Sequence, residues 1–180
     1  MSEHTDGRPR VAIMMGSDSD LATMKAAADT LHDFGVAHEV KVLSAHRSPA
    51  RAIDYVETAP ERGVQVFICA AGMAAHLAGV VAAHTGLPVI GVPLKSSAGL
   101  AGADALYSTV MMPPGIPVAT VGIGAAKNAA LLAIRILALG DDGLAQRIAA
   151  FRADLDEGVR KKNERLDALG VDGYLGLGEG

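Results

Sequence analysis

The sequence predicts an α/β protein of three layers, helices on both faces of a doubly wound parallel sheet, with a long helix at its C-terminal end. Three observations carry this. Short apolar runs of strand length alternate along the chain with longer segments of helical apolar spacing. Glycine or Ser-Pro stands at most of the switches between them. And although 50% of the 180 residues are hydrophobic, there are only three Phe, three Tyr and no Trp. The core is therefore built from Ala, Val, Leu, Ile and Met, small side chains that suit close packing of helix on sheet and leave room for further burial at a subunit interface.

The elements follow in order. Residues 1–9 read as a disordered lead. Arg10–Met15 is a short apolar strand ending at Gly16. Asp20–Phe34 carries Leu21, Met24, Ala28 and Leu31 at helical spacing, and Gly35 follows as its stop. Ala37–Leu43 is a second strand. Ser48 and Pro49 open the next helix as N-cap and first helical residue. Val64–Ala70 is the third strand, Ala74–His84 a helix closed by Gly86, and Leu87–Pro93 the fourth strand. The segment 95–115 holds a helix in KSSAGLAGADALYS followed by an MMPPG loop. Pro117–Gly122 is the fifth strand, and Ala125–Leu139 is a helix apolar on all sides, which implies burial against more than one surface. Asp141–Asp167 is the long helix, with Leu144, Ile148, Phe151, Leu155 and Val159 on one stripe and Arg160-Lys161-Lys162 as a solvated face. The Gly-rich residues 170–180 read as a mobile tail. The expected organisation is one catalytic domain over 10–169. The commonest order for five such strands is 2-1-3-4-5.

Charge and composition exclude several classes. Net charge is −4 with no basic stripe, against a nucleic-acid partner. Cys69 is the only cysteine, so no intrachain disulfide or CxxC metal site exists, and its apolar surroundings make it a buried strand thiol. His76 and His84 lack the spacing of HExxH, and no other metal signature is present. The opening MSEHTDGRPR is too polar for a signal peptide, and no apolar run reaches the ~18–20 residues of a membrane span, so the expected location is the cytoplasm.

In a doubly wound sheet the ligand crevice lies outside the carboxyl ends of the strands, where the order reverses. That singles out the loops after the first three strands: GSDSD, SAHRSP and AAGMAAH. In the first, Gly16 permits a tight turn, Ser17 and Ser19 offer hydroxyls beside a helix start, and Asp20 can accept from ribose hydroxyls. The same motif also reads as plain helix capping. In the second, Ser48-Pro49 already explains the helix start, which leaves Ser44, His46 and Arg47 for other work. Arg47 suits a phosphate, and His46 can exchange a proton near neutrality. In the third, Ala70, Ala71 and Gly72 let a ligand approach the backbone, although close helix–sheet packing asks for the same residues. His76 reads as a helix-surface or structural residue. GxGxxG, the P-loop and the GxSxG elbow are all absent.

GSDSD, SAHRSP, AAGMAAHLAG, GVPLKS and MPPGIPVATVGIG occur in the order found in the N5-carboxyaminoimidazole ribonucleotide mutases, the catalytic subunits of bacterial purine synthesis once described as phosphoribosylaminoimidazole carboxylase. The chain resembles that family over about residues 10–165. The resemblance implies a flavodoxin-like sheet, a homo-octamer in which the C-terminal helix packs on neighbours, and conversion of N5-carboxyaminoimidazole ribonucleotide to its 4-carboxy isomer without a cofactor. It also implies substrate binding by Ser17, Asp20 and Arg47 with Ser19 and Ser44 beside them. His46 is then the catalytic acid/base, and Ala71, Gly72 and Leu77 lie near the migrating carboxyl group. The chain departs from the family pattern at Leu21, where Trp is frequent, and at Met73, Ala78 and Lys95. Two other readings compete: a direct carboxylase of aminoimidazole ribonucleotide using carbon dioxide, and a non-catalytic nucleotide- or flavin-binding module.

Overall fold

The structure, a computed structural model, describes residues 7–177; residues 1–6 of the expected lead and 178–180 of the expected tail lie outside them. The chain divides into two compact units, one through Leu137 and one from Ala138.

The first unit is built on five parallel strands: β1 (Val11–Met15), β2 (His38–Val42), β3 (Val66–Gly72), β4 (Val89–Leu94) and β5 (Ala119–Thr120), in the order β2-β1-β3-β4-β5. This is the expected order. The register aligns one residue from every strand in a single row, Val40–Ile13–Ile68–Ile90–Ala119. Six helices accompany the strands: α1 (Leu21–Asp33), α2 (Pro49–Glu57), α3 (Ala59–Arg62), α4 (Leu77–Ala83), α5 (Ala103–Val110) and α6 (Ala126–Leu137).

Side chains alternate across a strand, and both faces of the central strands are covered. Ala12 and Met14 of β1 and Phe67 and Cys69 of β3 join Val56 of α2, Ala59 of α3 and Leu77, Ala78 and Val81 of α4 in one buried cluster. Val11, Ile13 and Met15 point the other way and are equally buried. On that second face α6 lies along α1 and against β3 and β4, so its all-round apolar character does serve two surfaces. Its contact face is Ala126, Ala129, Ala130, Ala133, Ile134 and Leu137. Cys69 is buried as expected, and burial pushes its thiol well above the ordinary range.

Local chemistry explains where the boundaries fall. Helix α1 stops at Gly35, whose φ of 67° lets its N–H reach His32 O at 2.8 Å and turns Val36 N–H onto Leu31 O at 2.8 Å. The apolar stripe of α1 begins one turn later than the sequence suggests: Met24, Ala27 and Leu31 are buried, whereas Leu21 is exposed. Pro49 is the first residue of α2, but Ser48 does not cap it; its hydroxyl turns back to donate to Ser44 O at 3.1 Å. Strand β5 has two residues where six were expected. Pro117 has no N–H to donate, and pairing is confined to Ile90–Ala119 and Gly91–Thr120 before Gly122 turns the chain. The segment 95–115 resolves into a loop, α5 and the MMPPG connection.

The second unit comprises a 3-10 turn (Ala138–Gly140) and α7 (Asp142–Leu175). Asp141 caps α7, its Oδ1 accepting from Leu144 N–H at 3.0 Å. Helix α7 runs past the expected end at Asp167. Gly170 leaves the helical region (φ 63°, ψ 175°) and kinks it, and the helix resumes to Leu175, ending on Gly176 with φ 69°. Arg160 pairs with Glu157 and Glu164, as a solvated face should. Along the apolar stripe Leu144 is buried, Ile148 and Phe151 are half-buried, and Leu155 and Val159 are exposed.

Gly91 is the tightest point of the sheet. A Cβ there would stand 2.3 Å from Thr109 Cγ2 and 3.0 Å from Val118 Cγ1, so α5 and the segment entering β5 close onto β4 only because this residue has no side chain. Gly91→Ala is expected to destabilise the fold by about 1–3 kcal/mol through overpacking. Gly86→Ala, where no atom lies within 4 Å of the added carbon, should stay within about 0.5 kcal/mol. Urea midpoints of the two variants measure the contrast.

Candidate active site

Parallel pairing places the carboxyl ends of β1, β2, β3 and β4 along one edge. The loops that leave them enclose a cleft of about 520 Å³. All nine residues singled out from the sequence line it: Ser17, Ser19 and Asp20 after β1, Ser44, His46 and Arg47 after β2, Ala71 and Gly72 at the end of β3, and Leu77 at the start of α4.

The β1 loop is both a cap and a cleft wall. Ser17 Oγ accepts from Ser19 N–H at 3.3 Å and caps a 3-10 turn over Asp18–Asp20, so the capping reading of this motif holds locally. Ser19 Oγ donates to Ser17 Oγ at 2.9 Å, which lines up two hydroxyls at one side of the cleft. Asp20 is half-buried, and loss of water pushes its carboxyl above the ordinary range; hydrogen bonds from Ser19 and the Ser17 backbone, and the Arg47 charge, pull it partly back.

The β2 loop is a turn closed by its own serines. Ser44 Oγ accepts from Arg47 N–H at 3.1 Å, Ser48 N–H donates to Ser44 O at 3.0 Å, and Ser44 N–H donates to Ser48 Oγ at 3.1 Å. The turn sends consecutive side chains to opposite neighbours. Arg47 Nη2 donates to Gly16 O at 2.5 Å, in the β1 loop. His46 Nε2 lies 2.9 Å from His76 Nδ1, ahead of α4, with the ring planes at 88°. The remaining guanidinium donors of Arg47 are available to an anion.

The β3 loop is made of small residues with one strained position. Met73 has φ 54°, in the left-handed region that favours glycine, and its side chain is exposed at the cleft. A Cβ on Gly72 would stand 3.4 Å from Leu94 O, ordinary contact, so its lack of a side chain matters at the cleft rather than in the packing.

Further polar groups at the cleft were missed in the sequence. His76 was read as a structural residue, yet it meets His46 directly. Lys95 and Ser96 follow β4, a fourth strand whose carboxyl end reaches the same cleft. The carboxyl-end rule that pointed to the first three loops covers this one too. Among the described residues, no group of three or more His, Cys, Asp or Glu is arranged to hold a metal ion, and no helix is long and apolar enough to cross a membrane.

The family model for AIR carboxylase matches residues 10–158. The chain belongs to the AIR carboxylase family. Members of that family named N5-carboxyaminoimidazole ribonucleotide mutase are similar to it over nearly their whole length: the Pyrococcus abyssi protein is 55% identical over 169 residues, covering 94% of this chain and 97% of its own. The Pyrococcus horikoshii protein is 52% identical over 168 residues, covering 93% and 94%. A crystal structure of Treponema denticola PurE superposes with a TM-score of 0.80 at 32% identity, covering 88% of this chain and 99% of that one.

Asp20 gives this site a pH signature. Because its folded-state carboxyl holds a proton more tightly than in the unfolded chain, its ionisation costs stability as pH rises through that range. Asp20→Asn is therefore expected to melt at a higher temperature than the parent protein at pH 7, with a smaller difference at about pH 4, where more of the carboxyl is protonated. Thermal melts at the two pH values decide it; a difference that widens at low pH would reverse the sign of the desolvation.

Proposed function

We propose that residues 10–169 form the catalytic domain of a mutase that converts N5-carboxyaminoimidazole ribonucleotide to 4-carboxy-5-aminoimidazole ribonucleotide in purine synthesis. The observation that carries this is His46, set between a cation and a small-residue loop in a cleft of this family's fold. Arg47 and the hydroxyls of Ser17, Ser19 and Ser44 hold the phosphate end. Asp20 accepts from the ribose hydroxyls. Ala71, Gly72 and Leu77 face the migrating carboxyl group.

The reaction divides into two halves. The N–C bond of the carbamate breaks, releasing carbon dioxide, and the exocyclic nitrogen takes a proton from the His46 imidazolium. The ring carbon then attacks carbon dioxide, and the neutral imidazole removes the proton from that carbon. A single imidazole thus serves both halves, and the proton count returns to its start. A wall of small apolar groups disfavours the carboxylate relative to neutral carbon dioxide and retains it between the halves. The protein acts, in this proposal, in the cytoplasm as a homo-octamer; exposed Val40 and Val42 on the edge strand, and Leu155 and Val159 on α7, are apolar surface such an assembly would cover.

A second reading, direct carboxylation by free carbon dioxide, is favoured by a Saccharomyces cerevisiae phosphoribosylaminoimidazole carboxylase that is 49% identical over 168 residues, 93% of this chain but 29% of that protein. Turnover of substrate carrying a labelled carbamate carbon, in excess unlabelled bicarbonate and without ATP or metal, separates them. A mutase retains the label in the product; loss of the label to solvent identifies the carboxylase. His46→Asn is expected to lower kcat at least ~100-fold while still binding the ribonucleotide, and Arg47→Ala to act mainly by raising KM. Near-normal turnover in the first variant removes His46 from the mechanism.

A further inference from the structure

Met73 stands out in the cleft because its backbone angle disfavours the side chain it carries. Its φ of 54° lies in the left-handed region, which a residue with a Cβ enters only at a steric cost. The surroundings fix that angle from both sides. Before it, Ala71 and Gly72 are paired with Pro93 and Leu94 of β4; after it, His76 N–H donates to Ala74 O at 2.9 Å and α4 begins at Leu77. A glycine would take the same turn without that cost, as Gly35 and Gly63 do elsewhere in the chain. A strained residue held at a ligand cleft points to a use for its side chain. That use is not core packing, since the Met73 side chain lines the cleft and the residue is 47% exposed. Every other residue from Ala70 to Ala75 is Ala or Gly, so Met73 alone carries this loop beyond Cβ.

We infer that the Met73 side chain is the cover of the small-residue wall, an apolar flap that keeps released carbon dioxide in the cleft until the ring carbon takes it. This rests on the proposed two-half reaction. Carbon dioxide is small and neutral and has no N–H or O–H to donate, so the cation and hydroxyls that retain a ribonucleotide give it little hold. What delays its escape is apolar contact and steric cover. Ala71 and Gly72 leave space for the group to approach the backbone, and the same smallness leaves that space uncovered. An unbranched thioether adapts to irregular surfaces. It can lie aside while the substrate enters and pack over the wall once the cleft is filled. Met73 then acts on the partition of the intermediate between recapture and loss, and not on bond breaking itself.

The test uses three variants. Met73→Gly removes both the strain and the side chain, Met73→Ala removes the side chain and keeps the left-handed cost, and Met73→Leu keeps an apolar side chain of similar size. Each turns over substrate labelled at the carbamate carbon in excess unlabelled bicarbonate. The share of product lacking the label is read at early times and corrected for label lost without enzyme. The parent protein should retain nearly all of it. Met73→Gly and Met73→Ala should both raise the unlabelled share about 3- to 10-fold, the effect of a modestly lowered barrier to escape, and Met73→Leu should match the parent. Thermal melts read the backbone separately: Met73→Gly should melt about 2–4 °C above Met73→Ala, since only glycine is relieved of the left-handed angle. Equal label retention in the parent, Met73→Gly and Met73→Ala overturns the inference and leaves the proposed function standing. A leak that appears only where a variant's oligomeric mass has fallen also overturns it, and makes Met73 an interface residue. A parent protein that itself loses most of the label removes the mutase reading and the inference with it.

Discussion

Parallel strand pairing is the constraint on which the rest of this molecule depends. A parallel neighbour can be reached only by a crossover that returns the chain to the opposite edge of the sheet, so every strand leaves at the same edge. Four strands therefore deliver four loops to one place without any long-range sequence signal to guide them. The cost is that central strands are covered on both faces, and the chain meets it with side chains of modest size. Phe67 is the single bulky aromatic among the largest fully buried residues; the helix faces against the sheet are mostly Ala, Val and Leu. Gly91 marks the limit of this economy, the point where even a methyl group has no room.

The order of the strands, and not merely their direction, decides which loops can cooperate. In β2-β1-β3 the loop after β2 begins at the far edge, with the β1 loop between it and β3. A short loop ending in one functional side chain would serve one neighbour. The Ser44–Ser48 turn instead exposes two consecutive side chains in divergent directions, Arg47 onto Gly16 and His46 onto His76. The serines stabilise the turn itself, so residues that look like spare hydroxyl groups in the sequence are in part the scaffold that aims the His and the Arg.

This explains what was legible in the sequence and what was not. Strand and helix alternation and the Gly35 stop depend on local spacing and local chemistry, and those readings match the structure. The length of β5 depends on which partner donates to it, which no local pattern reports. The helix beyond Gly170 was hidden by glycine content: one residue with unhelical angles absorbs the break, and the chain recovers its helix on the next turn. At the cleft, the nine expected residues converge because the carboxyl-end rule is topological. His76 was missed because its partner is 30 residues away, and a histidine beside a helix start carries no local sign of such a contact. Lys95 was missed for a simpler reason: the crevice rule was applied to the three strands at the switch point and not to β4 beside them.

The division of polarity in the cleft follows from the same geometry. The β1 and β2 loops begin helices or turns and so carry Ser, Asp and Arg, residues whose side chains satisfy free backbone groups and whose surplus valences face outward. The β3 loop begins where Gly72 and Ala71 sit against β4, and it opens α4 without a side-chain cap; it is apolar through Ala75 before His76 and Leu77. A ligand bound across the cleft thus meets hydroxyls and a cation at one end and a non-polar wall at the other, with His46 at the boundary. For a carboxyl group leaving one atom and joining its neighbour, that gradient is the useful feature. In the proposed reaction the polar end is the part that retains the ribonucleotide while it is briefly without its carboxylate, and the apolar end the part that holds the neutral molecule that has left.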